Sequence, residues 1–182
     1  MKPKSVFWIA TITLIGLFTL TLYSCSNNDT GPDSKWLNNI NALLEHNLER
    51  VRITEGLAGT VIFTEGNCMP QPVDDEEMES SCLRYPVSRV VQIREYTHRS
   101  KTEHQGGGFH INVQTKLIAK VQTDAAGFFE VDLPPGNYSL FIEEQGSLYA
   151  NSWNSEGFIQ SATVAEGDAE FVTLDITHSA YY

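Results

Sequence analysis

Thr123-Asp124-Ala125-Ala126-Gly127-Phe128-Phe129-Glu130-Val131-Asp132-Leu133-Pro134-Pro135-Gly136-Asn137-Tyr138-Ser139-Leu140 reads as two strands and two turns. Phe129, Val131 and Leu133 alternate with Glu130 and Asp132, the period of a strand with one apolar face. Tyr138, Leu140 and Ile142 repeat that period. Asp124 to Gly127 has the composition of a type I turn, with Gly available for a left-handed position. Pro134 to Asn137 puts Pro at a turn's second corner and Gly at its third.

The alternation extends in both directions. Upstream, Leu57, Gly59, Val61 and Phe63 share one strand face, and Val87, Val91 and Ile93 share the next. Phe109, Ile111, Val113, Leu117, Ala119 and Val121 all fall on odd positions, with His110, Asn112, Gln114, Lys116 and Lys120 on the polar side. That run is long for one strand and is expected to bend or to split between sheets. Downstream, Ile159 to Val164 is a weaker strand, and Val172, Leu174 and Ile176 alternate with Thr173, Asp175 and Thr177. About seven short antiparallel strands with one apolar face each bury those faces as a β-sandwich. The fold class is all-β, with the sandwich over 57–182. Before it, Leu37, Ile40, Leu44, Leu48 and Val51 recur at helical spacing, widened by Trp36, Leu43 and Ile53. Asp33 or Ser34 can cap this segment and Gly56 ends it, so the spacing predicts a short amphipathic helix over 35–51 and a linker to 56.

Three pieces of this pattern stand in order: Gly59-Thr60-Val61-Ile62-Phe63 with Gly66-Asn67-Cys68-Met69-Pro70, then Ser88-Arg89-Val90-Val91-Gln92-Ile93, then the 123–140 stretch. Together they resemble the carboxypeptidase regulatory-like domain, a transthyretin-like (prealbumin-like) β-sandwich. Its T-D-x-x-G-x-F-x-x-x-L-P-P-G-x-Y core is matched nearly residue for residue. The resemblance covers 57–144 well and the strands to 178 loosely. It departs where 68–82 and Thr97 to Gly108 lengthen two connections. It implies a seven-stranded sandwich and a non-catalytic accessory or interaction module, of the kind that accompanies peptidases, outer-membrane transporters and surface proteins. It carries no site residues over to this chain.

At the other end, Lys2 and Lys4 precede an uncharged, mostly apolar run from Ser5 to Tyr23. A basic start before an apolar stretch reads as an export signal. As a helix it would span roughly 28 Å at ~1.5 Å per residue, close to the hydrocarbon thickness, so length alone does not separate a cleaved signal from a retained span. The flank Leu22-Tyr23-Ser24-Cys25, followed by Ser26-Asn27-Asn28-Asp29-Thr30-Gly31-Pro32, resembles the lipobox of bacterial lipoproteins, with Tyr23 where a small residue is commoner. The resemblance implies a signal peptide over 1–24, a Cys25 diacylated on sulfur and acylated (as with palmitate) on nitrogen, and a polar tether over 25–34. Stable anchoring takes at least two acyl chains, which such a Cys supplies. The expected place is the cell envelope of a Gram-negative bacterium, the outer membrane before the inner. An uncleaved anchor helix with an incidental Cys is the alternative.

Cys68 and Cys82 remain. An even pair in an oxidising compartment is most simply a disulfide, with two free thiols as the alternative. It would close a loop of about 15 residues, worth ~3 kcal/mol in the chain-entropy model. The loop holds Pro70 and Pro72, then Asp74, Asp75, Glu76, Glu77 and Glu79, a composition for display rather than for a core.

The whole chain carries 12 Lys+Arg against 23 Asp+Glu, a formal charge of −11, and loses Lys2 and Lys4 if the signal is cleaved. That balance argues against nucleic acid, whose binders need a basic face. His46 and Glu49 match an H-x-x-E zinc spacing, but no third ligand or general base accompanies them. His98, His104 and His110 flank Gly106 to Gly108 without a tightly spaced acidic or Cys ligand, and no Lys-Ser/Thr makes the glycines a phosphate loop. The acidic run lacks the alternating ligands and Gly of a calcium loop. Tyr149 and Trp153 stand among Asn151, Ser152 and Asn154, with Phe158 beyond, and could stack on a sugar. No G-x-S-x-G or H-E-x-x-H is present. The expectation is a lipid-anchored, non-catalytic β-sandwich interaction module with no cofactor. Candidate partner contacts are Asp74, Asp75, Glu76, Glu77, Glu79, Tyr149 and Trp153, facing an envelope protein or a glycan. A glycan- or peptide-binding accessory lipoprotein of an outer-membrane transporter is the first alternative, and an enzyme the second.

Overall fold

The computed structural model describes residues 35–70 and 81–182. The expected signal peptide, Cys25, the tether and the carboxylates at Asp74, Asp75, Glu76, Glu77 and Glu79 lie outside these residues. The described elements are α1 (Ile40–Leu48), β1 (Gly56–Asn67), β2 (Leu83–Pro86), β3 (Val90–Glu95), β4 (Glu103–Gly106), β5 (Phe109–Ile111), β6 (Leu117–Gln122), β7 (Phe128–Asp132), β8 (Gly136–Glu144), β9 (Ser147–Tyr149), β10 (Ser161–Val164) and β11 (Ala169–Tyr181).

β1 is the centre of the first sheet. β11 runs parallel to it along its length, from Gly56 beside Ala169 to Asn67 beside Tyr181. On its other edge β1 pairs antiparallel with β7 and then with β2. The second sheet has the order β4-β5-β9-β8-β3-β6, and β10 shares the β9 edge of β8. Between the sheets lies one core. Leu57, Val61, Phe63, Phe129, Leu174 and Ile176 enter it from the first sheet. Val91, Ile93, Leu140, Ile142 and Tyr149 enter from the second, beside Tyr138, Ala162 and Val164.

This is the expected all-β sandwich, with 11 strands rather than seven. The long 109–121 alternation splits into β5 and β6. β2, β4 and β9 are additional, and at three or four residues each they are too short to show a period. The apolar positions read from alternation are buried in the core or packed against it, except Ile111 and Val113, which line the outer face of the second sheet, and Leu117, which is 37% exposed. β6 is the open edge of its sheet, and Ile93/Arg94 opposite it carry a register shift, so its outermost residue lies beyond the core.

Both sheets are also covered on their outer faces. α1 lies on the first, where Trp36, Ile40 and Leu43 pack on Ile62. On the second, Phe141, Ala150 and Ile159 form a further apolar cluster. Phe128 and Phe141 are therefore buried as well as Phe129 and Leu140. The helix is shorter than 35–51. Asn38 takes a left-handed φ of 55°, its N–H donates to the Arg84 carbonyl (2.8 Å), and its Oδ1 accepts from the Arg84 N–H (2.8 Å). That pairing ties the chain to β2 and excludes helix there. The buried face is Trp36, Ile40, Leu43 and Asn47, whereas Leu48 is 56% exposed. Of the apolar stripe read from the spacing, Ile40 and Leu44 meet the contact and Leu48 turns off it.

The 123–140 stretch folds as a clamp. Asp124 Oδ1 accepts from the N–H groups of Ala126 (2.9 Å) and Phe128 (3.0 Å), and the Gly127 N–H donates to the Asp124 carbonyl (3.0 Å). Gly127 sits at φ 68°, and its carbonyl accepts from the Val61 N–H (2.9 Å), locking the turn to β1. Thr123 Oγ1 donates to the Val87 carbonyl (3.0 Å) and accepts from the Arg89 N–H (2.8 Å). The Tyr138 hydroxyl donates to the Pro134 carbonyl (2.8 Å) and closes the second turn.

Candidate functional site

Cys68 and Cys82 form a disulfide, with an S–S distance of 1.99 Å and Cα atoms 4.7 Å apart. The Cys68 N–H donates to the Tyr181 carbonyl (2.8 Å), so the last strand secures the foot of the stapled loop. Tyr181 and Tyr182 stand exposed beside it.

Of the aromatics between 148 and 158, one reaches solvent freely. Tyr149 is 1% exposed and lies in the sandwich core, where its hydroxyl accepts from the Thr177 N–H (3.0 Å). It presents no ring to a partner, because β9 turns it inward toward Phe109 and His178. Phe158 stacks on Tyr96 with centroids 3.7 Å apart. Trp153 is 60% exposed. Asn154 organises its turn: Oδ1 accepts from the N–H groups of Glu156 (3.1 Å) and Phe158 (2.9 Å), and Nδ2 donates to the Tyr96 hydroxyl (2.7 Å).

The histidines do not converge. His98 borders Phe158, and His104 lies 5.1 Å from His110 between centroids. Among the described residues no group of three potential ligands could hold a metal. His46 stacks on Trp36 at 5.2 Å, an aromatic contact at the edge of the helix–sheet interface. His110, expected on a polar strand face, is instead 5% exposed. Its Nδ1 pairs with Thr102 Oγ1 (2.8 Å) and its Nε2 with the Ala150 carbonyl (3.1 Å). The polar side of this sheet is roofed by the Phe141 cluster, and His110 packs edge-on against Phe141. Burial lowers its pKa below the ordinary value, against the Ala150 hydrogen bond.

The same outer face holds a cleft of about 500 Å³. Gln92 and Arg94 of β3 and Glu143 of β8 line it, with Ile111, Val113 and Leu148 among the other lining residues. A chain of hydrogen bonds fixes the polar residues. Lys120 Nζ and Gln92 Nε2 both donate to Glu143 Oε1, each at 2.5 Å. Arg94 Nε donates to Gln92 Oε1 (3.0 Å), and Nη1 donates to the Thr115 carbonyl (2.6 Å). The Lys120 ammonium, and Gln92 after it, hold the Glu143 carboxyl below its usual range. Burial lowers the Arg94 pKa. Among the described residues no ion pair forms on Arg94, and its Nη2 has no acceptor. Gln92, Arg94 and Glu143 were not legible as a site, because polar residues alternating with Val91, Ile93 and Ile142 look like a solvated face. The available signal was a second apolar set, Phe141 and Ile159, on that polar side.

The chain matches no protein-family model, no curated protein and no solved structure.

Proposed function

We propose that this chain is a lipid-anchored cell-envelope protein whose sandwich, of the carboxypeptidase regulatory-like, transthyretin-like type, serves as a non-catalytic interaction module. The observation that carries the reading is Leu22-Tyr23-Ser24-Cys25 behind a basic and then apolar leader. The disulfide agrees with an oxidising compartment. The polar side chains Asp124 and Tyr138 of 123–140 are taken up by turn bonds, which leaves recognition to the surfaces that the rigid sheets display. Metabolic labelling with a fatty-acid analogue tests the anchor. The wild type should carry label and Cys25→Ser should not, and equal labelling of both ends the lipoprotein reading. Trp153 favours a second reading, a glycan-binding accessory protein for an outer-membrane transporter. With Tyr149 buried, that reading rests on a single exposed ring beside Asn151 and Ser152. Trp153→Ala should then abolish retention on a glycan array.

A further inference from the structure

We infer that the cleft on the outer face of the second sheet binds a small organic carboxylate, with Arg94 receiving the carboxylate and Ile111, Val113 and Leu148 receiving an apolar body. The inference needs neither the lipid nor a partner protein, so it stands apart from the proposed function.

An arginine has five N–H donors in a planar fork suited to a carboxylate. In Arg94 two donors are committed: Nε to Gln92 and one Nη1 hydrogen to the Thr115 carbonyl. Those bonds hold the fork in one orientation and, among the described residues, leave Nη2 without an acceptor. No buried side-chain nitrogen lacks a partner among the described residues, so the free Nη2 reaches solvent. Arg94 is one of the residues that line the cleft.

The charge around the fork supports an anion. Glu143 is the carboxylate in the cleft lining, and it is already taken by Lys120 and Gln92. It forms no ion pair with Arg94. The arginine is therefore half-buried, pre-oriented and without a carboxylate partner among the described residues, in a chain whose formal charge is −11. Arg50, Arg84 and Arg89 each meet an Asp or Glu, whereas the two arginines that share with Arg94 the lack of an ion pair among the described residues, Arg52 and Arg99, are exposed on the surface. A ligand carboxylate would supply what Arg94 lacks, at little orientational cost.

The rest of the lining limits the ligand. Ile111, Val113 and Leu148 are half-buried and apolar, and Gly146 leaves open space at the rim. About 500 Å³ accommodates a small molecule or the last residue of a peptide. Both sources offer the same chemistry, a carboxylate next to a branched apolar group.

Calorimetric titration of the full chain in detergent tests this with four probes: 4-methylpentanoate, N-acetyl-leucine, and the amide of each. Both acids, or either one, should bind while the matching amide does not. Tighter binding of N-acetyl-leucine would assign a peptide terminus, and tighter binding of 4-methylpentanoate a free acid. Arg94→Gln should weaken the acid about tenfold or more, as expected for a lost charged hydrogen bond. The acid–amide comparison uses unaltered protein, so it holds even if that variant misfolds. The inference is overturned if neither acid binds, if the amides bind equally, or if a folded Arg94→Gln chain binds as before.

Discussion

Asn47 joins the helix to the sheet. It is fully buried, and its Nδ2 donates to both Thr60 Oγ1 and the Ala126 carbonyl, each at 2.9 Å. Its Oδ1 accepts from Arg50 Nη1 (3.1 Å). Asn47→Ala leaves a buried hydroxyl and a partly buried carbonyl with lost partners, and should cost about 2 kcal/mol in denaturant unfolding. Replacing the exposed Leu48 by Ala should cost far less, although its spacing placed Leu48 in the helix stripe. His110 is held as a neutral ring in the folded state. Burial depresses its folded pKa below the ordinary 6.5, so the unfolded chain takes the proton first. The contribution is therefore complete above about pH 6.5 and declines as pH falls from there toward the folded value. Melting temperatures across that window should fall more for the wild type than for His110→Gln. Neither residue was legible as core, because a polar side chain reads as buried only when the layer that will cover it is known.

At the scale of elements, two turns share one construction. Asp124-Ala125-Ala126-Gly127-Phe128 and Asn154-Ser155-Glu156-Gly157-Phe158 each place a side-chain oxygen on the N–H groups two and four residues on. Each ends at a glycine with positive φ, 68° and 88°. The first turn was legible from its Asp and Gly. The second has the same signature, but its flanks lack the alternation that marks strands. Packing separates glycines that conformation alone would treat alike. A Cβ on Gly127 would stand 2.4 Å from the Val61 carbonyl oxygen, whereas one on Gly146, at φ 76°, meets nothing within 4 Å. Gly146→Ala should cost about 1 kcal/mol from backbone conformation alone. Gly127→Ala should cost clearly more, since β1 must move, and paired chemical denaturation of the two variants checks the order. Strand periods were legible wherever one face met the inter-sheet core, as in β7, β8 and β11. They failed at 112–116, where the chain leaves the sheet between β5 and β6, and at Leu117 on the open edge.

Over the whole molecule, four layers stack: the helix, two sheets, and the Phe141 cluster on the far side. The sandwich was legible from alternation, but the outer layers were not, because each is built from a few residues distant in sequence. The disulfide lies outside this stack and acts on the unfolded chain. Its half-cystines are 14 positions apart, so reduction should lower stability by about 3 kcal/mol with little change in circular dichroism. A thiol titration that finds both cysteines free in folded, unreduced protein would contradict it.

The parallel pairing of β1 with β11 sets an order of events. The first and last strands of the sandwich meet in register although roughly 110 residues separate them. While β11 is still unmade, β1 has an open edge and the sheet has no lasting centre. A chain emerging vectorially, from a ribosome or across a membrane, thus stays without its final structure until its closing segment has cleared the exit. Delayed closure of this kind keeps a polypeptide threadable for as long as it is in transit.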